Sequence, residues 1–348
     1  MMTRRQFTTT STVLASGVGL PACSGSGDSY DAAVQRTWRL GDVPALPPTE
    51  LQRELVRLAT LAPSSHNTQC WRFAIESAQR ISLLPDLARR CPAVDPDDHH
   101  LYVSLGCATE NLVQGALAHG LKAQAAFDAQ RHAIAIALEP TSAISTPLFK
   151  AIAERQCTRG EYNGQALTAD DLAALTQAAA SDNVEMTLIT DKPALERVLE
   201  FVVQGNTAQI NDPAFVNELK DWIRFSNADA LRLGDGLYAA SSGNPVLPTW
   251  LGSMLFDFVF KPKAENDKIV RQMRSSAGVA VFTAKHADKA NWVEVGRAYE
   301  RFALQAAALG IRNAMLNQPV EVAALRSAFA SAVGVAGRND IGYNDFDP

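Results

Sequence analysis

The chain has 348 residues, 47% of them hydrophobic, and a formal charge of −5. That length suits one large fold or about two domains. The mild acidity, with no basic-aromatic patch, excludes nucleic acid as a partner. The five cysteines show no C-x-x-C spacing, and no histidines stand at metal-ligand spacing. The sequence therefore predicts neither a disulfide framework nor a metal site. Beyond the N-terminus no apolar run reaches the roughly 18–20 residues that span a bilayer.

Residues 1–31 read as an address rather than as part of the fold. Thr3-Arg4-Arg5-Gln6-Phe7, followed by the weakly apolar Thr8–Leu20, resembles a twin-arginine export signal. Leu20-Pro21-Ala22-Cys23 resembles a lipobox, with Cys23 as the lipidated residue and Ser24–Asp31 as a tether. The expectation is export in the folded state, to the periplasm or to a lipid anchor on the outer face of the cytoplasmic membrane. A chain that must bind its cofactor before export suits that route.

An apolar helical run, Leu51–Leu61, leads into Pro63-Ser64-Ser65-His66-Asn67-Thr68-Gln69, and a strand-like run, Trp71–Ile75, leads out. A proline-started loop rich in hydrogen-bonding side chains, held between a helix and a strand, is a binding loop by its chemistry. Two passages around it run in parallel. Ala33–Arg39, Thr49 and a helix to Ala62 correspond to Ala151–Arg159, Thr168 and a helix to Ala180, with Thr49 and Thr168 as N-caps. Strands follow at Trp71–Ile75 and Val184–Thr190. Downstream, Tyr102, Gly106, Glu110, Leu112, Ala116, Gly120 and Leu121 match Trp292, Gly296, Glu300, Phe302, Ala306, Gly310 and Ile311 at one offset. Two matches in the same order predict internal duplication, with copy one at 32–147 and copy two at 148–348.

Ala133–Leu138 reads as a further strand of copy one. Copy two carries a long insertion, about 193–275, before a strand at Gly278–Thr283. It holds helical runs at Pro193–Gln204 and Pro213–Phe225 and a Gly/Pro-punctuated stretch at Gly234–Pro248. The aromatic run Trp250–Phe260 reads as core. An insertion of this size is also where a lid comes from.

Ala62-Pro63-Ser64-Ser65-His66-Asn67-Thr68-Gln69-Cys70-Trp71-Arg72-Phe73 resembles the A-P-S-S-x-N-x-Q-P-W-x-F of the nitroreductase family of FMN flavoproteins. The duplicated chain is similar to the divergent Acg-like FMN-binding branch. The resemblance spans roughly 33–343. It implies an α+β nitroreductase-like fold whose two diverged copies form a pseudo-dimer within one chain, monomeric or assembled further as a homo-oligomer. It implies an oxidoreductase reducing a small nitro- or quinone-like acceptor through flavin N5. The alternative is a protein that sequesters FMN with little turnover.

The resemblance also implies one FMN site. Pro63, Ser64, Ser65, Asn67 and Gln69 lie along the cofactor, and Arg155, Cys157 and Arg159 form the phosphate segment, where guanidinium groups suit a dianion. Leu316 or Asn317 offers a backbone N–H to N5, and Arg338 supports the phosphate. The second potential site pairs Arg36–Arg39 with Ala180-Ser181-Asp182-Asn183, which has lost the proline and the serines. Cys70 replaces a proline of the family pattern and Cys157 a serine; Cys157 reads as buried and inert. His66 reads as a loop residue near the cofactor, His99 and His100 as surface residues. No protein acid or base is required, so no catalytic residue is assigned.

Overall fold

The computed structural model describes residues 29–40 and 46–335. The segment read as an export signal, with Cys23, and the C-terminal Arg338 lie outside the described residues. The chain opens with α1 (Tyr30–Thr37), α2 (Pro48–Ala59), β1 (Trp71–Ser77), β2 (Arg80–Pro85), α3 (His99–Ala118), β3 (Leu121–Asp128), β4 (Ala133–Pro140) and α4 (Pro147–Ala151). It continues with α5 (Ala169–Ala179), β5 (Val184–Ile189), α6 (Lys192–Ile210), α7 (Pro213–Trp222), β6 (Ile223–Arg224), α8 (Asn227–Leu233) and β7 (Leu237–Tyr238). Last come α9 (Thr249–Val259), α10 (Pro262–Arg274), β8 (Val279–Ala284), α11 (Lys289–Ala308), α12 (Gln318–Glu321) and α13 (Ala323–Ala332).

The architecture is α+β. One antiparallel sheet runs in the order β1-β2-β4-β3, and a second pairs β5 with β8, also antiparallel. β1 and β2 are joined across Ala78 and Gln79 alone, whereas residues 190–278 separate β5 from β8. β8 is buried along its whole length, as its Val-Ala-Val-Phe-Thr-Ala sequence allows. Its Ala280, Phe282 and Ala284 join the main core, and Val279 and Val281 join a second core. That second core includes Val198 and Val202 of α6, Ile269 and Met273 of α10, and Val320 and Phe329 beyond α11.

Helices α3 and α11 cross at the centre. A Cβ on Gly106 would fall inside contact distance of the Val293 carbonyl oxygen and 2.9 Å from Gly296 Cα. A Cβ on Gly296 would fall just as close to the Val103 carbonyl oxygen and 3.0 Å from the Cys107 nitrogen. The arrangement is reciprocal, each glycine lying over the valine carbonyl three residues before the other. Cys107 Sγ also donates to the Gly296 carbonyl at 3.3 Å. Both helices end at a left-handed glycine, Gly120 and Gly310, each with φ +76°.

The structure corrects several expectations. α2 begins at Pro48, so Thr49 lies inside the helix, and proline at the first helical position supplies the start. Thr168 does cap α5, in a capping box with Asp171. Strands β2 and β3 were not expected. In β3, Lys122 and Gln124 are exposed between more buried residues, but its alanines carry little strand propensity. The aromatic run forms α9, not a core segment: Trp250 is 70% exposed and Phe258 72%, while Phe256 stacks on Phe260 with centroids 4.6 Å apart.

Gly106→Ala and Gly296→Ala should each lower stability by about 3 kcal/mol or more, since the obstacle is backbone that cannot rotate aside. Gly160→Ala, with nothing within 4 Å of the added Cβ, should stay within about 0.5 kcal/mol. Urea midpoints measure both; equal effects at the three positions would refute close packing at the crossing.

Candidate functional site

The Pro63–Gln69 loop is wound tightly. His66, Asn67 and Gln69 have φ of 48°, 52° and 53°, a left-handed backbone that costs about 1–2 kcal/mol for each non-glycine residue. Within the loop, Asn67 N–H donates to the Ser64 carbonyl at 2.8 Å, and Gln69 N–H donates to Ser64 Oγ at 2.9 Å. The rest of its support comes from the insertion. Gly236 N–H donates to the Asn67 carbonyl at 3.0 Å, and Asn67 Nδ2 donates to the Gly236 carbonyl at 2.9 Å. Gln69 Nε2 donates to the Gly234 carbonyl at 2.6 Å.

Between those glycines, Asp235 accepts from Arg89 and, at 3.0 and 2.8 Å, from Arg224 Nε and Nη2. Arg89 Nε also donates to the Thr68 carbonyl at 2.5 Å. The loop and the turn at 234–236 are thus one hydrogen-bonded unit.

A buried polar network lies beneath the loop. Arg155 is 4% exposed; its Nη2 donates to the Leu61 carbonyl at 3.2 Å, and its Nε is 3.4 Å from Glu300 Oε1. Its guanidinium also lies 5.9 Å from the Trp38 ring centroid. With its amide oriented to satisfy both partners, Asn111 donates to Glu300 Oε1 at 2.9 Å and accepts from Ala62 N–H at 3.2 Å. Burial pushes the Glu300 carboxyl up to about 7, against the pull of Arg155 and the Asn111 hydrogen bond.

The Arg155–Arg159 segment meets the segment after α11. Thr158 N–H donates to the Asn313 carbonyl at 2.7 Å, and Cys157 bridges to Asn313 in parallel. This brings residues 155–159 beside the stretch that carries Leu316 and Asn317. The side-chain oxygens of Asn313, Asn317 and Gln318 are buried there without hydrogen-bond partners, as is Arg155 Nη1. Arg159, unlike Arg155, is exposed, with Nη1 3.4 Å from Ser242 Oγ of the insertion. Burial lowers the His66 pKa to about 4, with the Arg159 charge adding to the effect. Cys157 is exposed rather than buried; its sequence neighbours Gln156 and Thr158 are likewise not buried.

His99 and His100 are a further correction: both are buried, at 5% and 4% exposure, where the sequence reading placed them on the surface. Glu300 and Asn111 were missed as site-building residues. The available signal was a carboxylate and an amide on helices that are otherwise apolar, since such groups are buried only with partners.

No family model matches the chain. Two curated relatives do, each named "Putative NAD(P)H nitroreductase", from Mycobacterium tuberculosis strains CDC 1551 / Oshkosh and ATCC 25618 / H37Rv. Each is 25% identical over 302 residues, covering 84% of this chain and 83% of the relative. The similarity supports the resemblance to nitroreductases read from the loop and the repeats.

The lowered His66 pKa has a definite sign. In the unfolded chain His66 takes up its proton near pH 6.5; in the folded chain it does so only near 4. Its contribution is full above pH 6.5 and is lost as the pH falls from there towards 4, because the unfolded state binds more protons in that window. His66→Asn, which tolerates the left-handed backbone, should flatten the fall of the urea midpoint between pH 6.5 and 4. An unchanged slope would mean that His66 is not desolvated in the loop.

Proposed function

We propose that this chain is an FMN-binding oxidoreductase of the nitroreductase type, built from two diverged copies and holding one flavin. The observation that carries this reading is the convergence of three segments that the resemblance singles out. Loop 63–69 is joined through Leu61 to Arg155, and the 155–159 segment through Thr158 to Asn313, ahead of Leu316 and Asn317. The reciprocal crossing at Gly106 and Gly296 and the named relatives support the same reading.

The donor set fits a phosphorylated flavin. Arg159 is an exposed guanidinium for the phosphate; Ser64 and Ser65 offer hydroxyls, and Asn67 its side-chain oxygen, for the ribityl chain and the ring edge. Cys157 lies between the two arginines, and Leu316 or Asn317 would present its N–H to N5. Bound FMN supplies hydride acceptance and electron delivery to a nitro- or quinone-like acceptor. The chain binds, orients and shields. Arg155 keeps the loop entrance fixed by holding Leu61, and its buried Nη1 still lacks a partner. Export by the twin-arginine route, a lipid tether at Cys23 and phosphate support from Arg338 remain part of this proposal, from sequence alone.

A second reading, FMN sequestration, is favoured by one observation: the amides of Asn67 and Gln69 are already engaged by the carbonyls of Gly236 and Gly234. A turn seated on the binding loop hinders acceptor access.

Titration with FMN and riboflavin tests the site. Arg159→Ala should weaken FMN at least about tenfold, the loss of one charge-assisted contact, and leave riboflavin unchanged; Arg36→Ala should change neither. Equal losses for both flavins, or no flavin binding by the wild type, would end the proposal. Asp235→Asn should loosen the turn. If the loaded protein then passes electrons to a nitroaromatic faster than wild type after anaerobic reduction, the insertion is a working cover. If neither protein is reoxidised by the acceptor, sequestration stands.

A further inference from the structure

A second polar cluster lies at the start of α3, beside the loop but, among the described residues, sharing no hydrogen bond with the Arg155–Glu300 network. Asp95, His99 and His100 are 2%, 5% and 4% exposed. Each offers one ligand atom, and these atoms all lie within 4.8 Å of one another. Glu321 of α12 approaches from across the fold, its Oε1 3.7 Å from His100 Nε2. Asp95 Oδ1 is 3.2 Å from His99 Nδ1, and the ring centroids of His99 and His100 are 4.1 Å apart.

These groups are not satisfied as a core. Asp95 Oδ1 and the Nε2 atoms of His99 and His100 are buried without a hydrogen-bond partner. Buried polar atoms left so cost about 1–3 kcal/mol each. The outer atoms of the cluster are fixed: Leu101 N–H donates to Asp95 Oδ2 at 2.9 Å, and Gln209 Nε2 donates to Glu321 Oε2 at 2.6 Å. Supporting bonds of this kind orient ligand carboxylates.

We infer that Asp95, His99, His100 and Glu321 bind one divalent first-row transition metal ion. Two imidazoles and two carboxylates form a mixed nitrogen–oxygen set suited to Zn²⁺ and its neighbours rather than to Mg²⁺ or Ca²⁺. Metal–ligand bonds of roughly 2.1 Å place tetrahedral donors about 3.4 Å apart. The 3.2 and 3.7 Å pairs are near that spacing, and the Asp95–His99–His100 ligand atoms, within 4.8 Å of one another, must draw in by about an ångström around an ion.

Two positive charges oppose a cation there. The N-terminus of α3 carries about half a charge, outweighed by the two carboxylates once a bound cation holds them ionised. Arg326 is the other, and it is turned onto Asp97 at 2.9 Å and the Val320 carbonyl. The ion would tie the start of α3 to α12 across a large sequence gap. This inference does not rest on the flavin reading, and either can fail alone.

The test uses the full chain, purified without a histidine tag. Elemental analysis should find about one transition metal ion per chain. After removal by chelator, Zn²⁺ alone should raise the melting temperature, in proportion to its excess over Kd. His99→Ala, His100→Ala and Glu321→Gln should each weaken Zn²⁺ binding at least about 100-fold, whereas His286→Ala, at an exposed histidine, should not. If the alanine variants fail to fold, the wild type still decides. A metal-free wild-type protein whose melting temperature ignores Zn²⁺ overturns the inference, as does equal Zn²⁺ affinity in wild type and Glu321→Gln.

Discussion

Two glycines that admit no Cβ fix the distance between α3 and α11, and most of the molecule follows from that distance. Only with backbone against backbone at Gly106 and Gly296 do the first sheet and the β5–β8 pair share one core, in which Leu105 and Leu112 join Phe282, Tyr299 and Phe302. Packing this close leaves no room for water or adjustment, so interiors of this kind transmit small displacements. The same crossing sets two glutamates, each one turn beyond its glycine, on opposite sides of the helix pair.

Those glutamates share a register but not their partners. Glu110 accepts from Arg297 and Arg301, both at 3.2 Å and both on α11. Glu300 meets Arg155, which comes from a separate segment. On each side an arginine reaches on to the carbonyls that end a helix: Arg301 to Ala178 and Ala180 at the end of α5, Arg155 to Leu61 after α2. After Ala180 the chain needs only a short link to β5. After Leu61 it forms the strained loop. Similar electrostatics thus support a plain connection on one side and an elaborate one on the other, the asymmetry expected if one of two equivalent positions kept a ligand.

Features that depend on local chemistry were legible in the sequence. The helix–loop–strand around Pro63, the capped α5 and the paired glycine helices were read from residue types and spacing. Features that depend on tertiary partners were not. His99 and His100 have polar neighbours in sequence, Asp97 and Asp98, so they read as surface; their burial comes from Glu321, more than two hundred residues away, and from Trp292, 5.9 Å from His99. The apolar α9 failed in the opposite sense, because hydrophobicity alone does not say whether a partner surface exists. Arg155 and Arg159 look equivalent four residues apart, yet an extended, irregular backbone sends one into the core and leaves the other at the surface.

The insertion is both foundation and cover. Helices α6 and α10 pack on β8 through the second core, so they cannot swing away without unfolding it. The turn at 234–236 within the insertion is held by polar contacts: the Asp235 ion pairs and the hydrogen bonds between Gly234, Gly236 and the loop. Three left-handed residues cost the loop several kcal/mol; bonds to the insertion are of the size needed to offset this, at about 1 kcal/mol each. Loop shape and insertion docking are therefore one equilibrium. A ligand that needs the Asn67 and Gln69 amides competes with the 234–236 turn, and its apparent affinity is reduced by the fraction of time the turn is seated. Movement of that short segment would expose the loop while both hydrophobic cores stay intact.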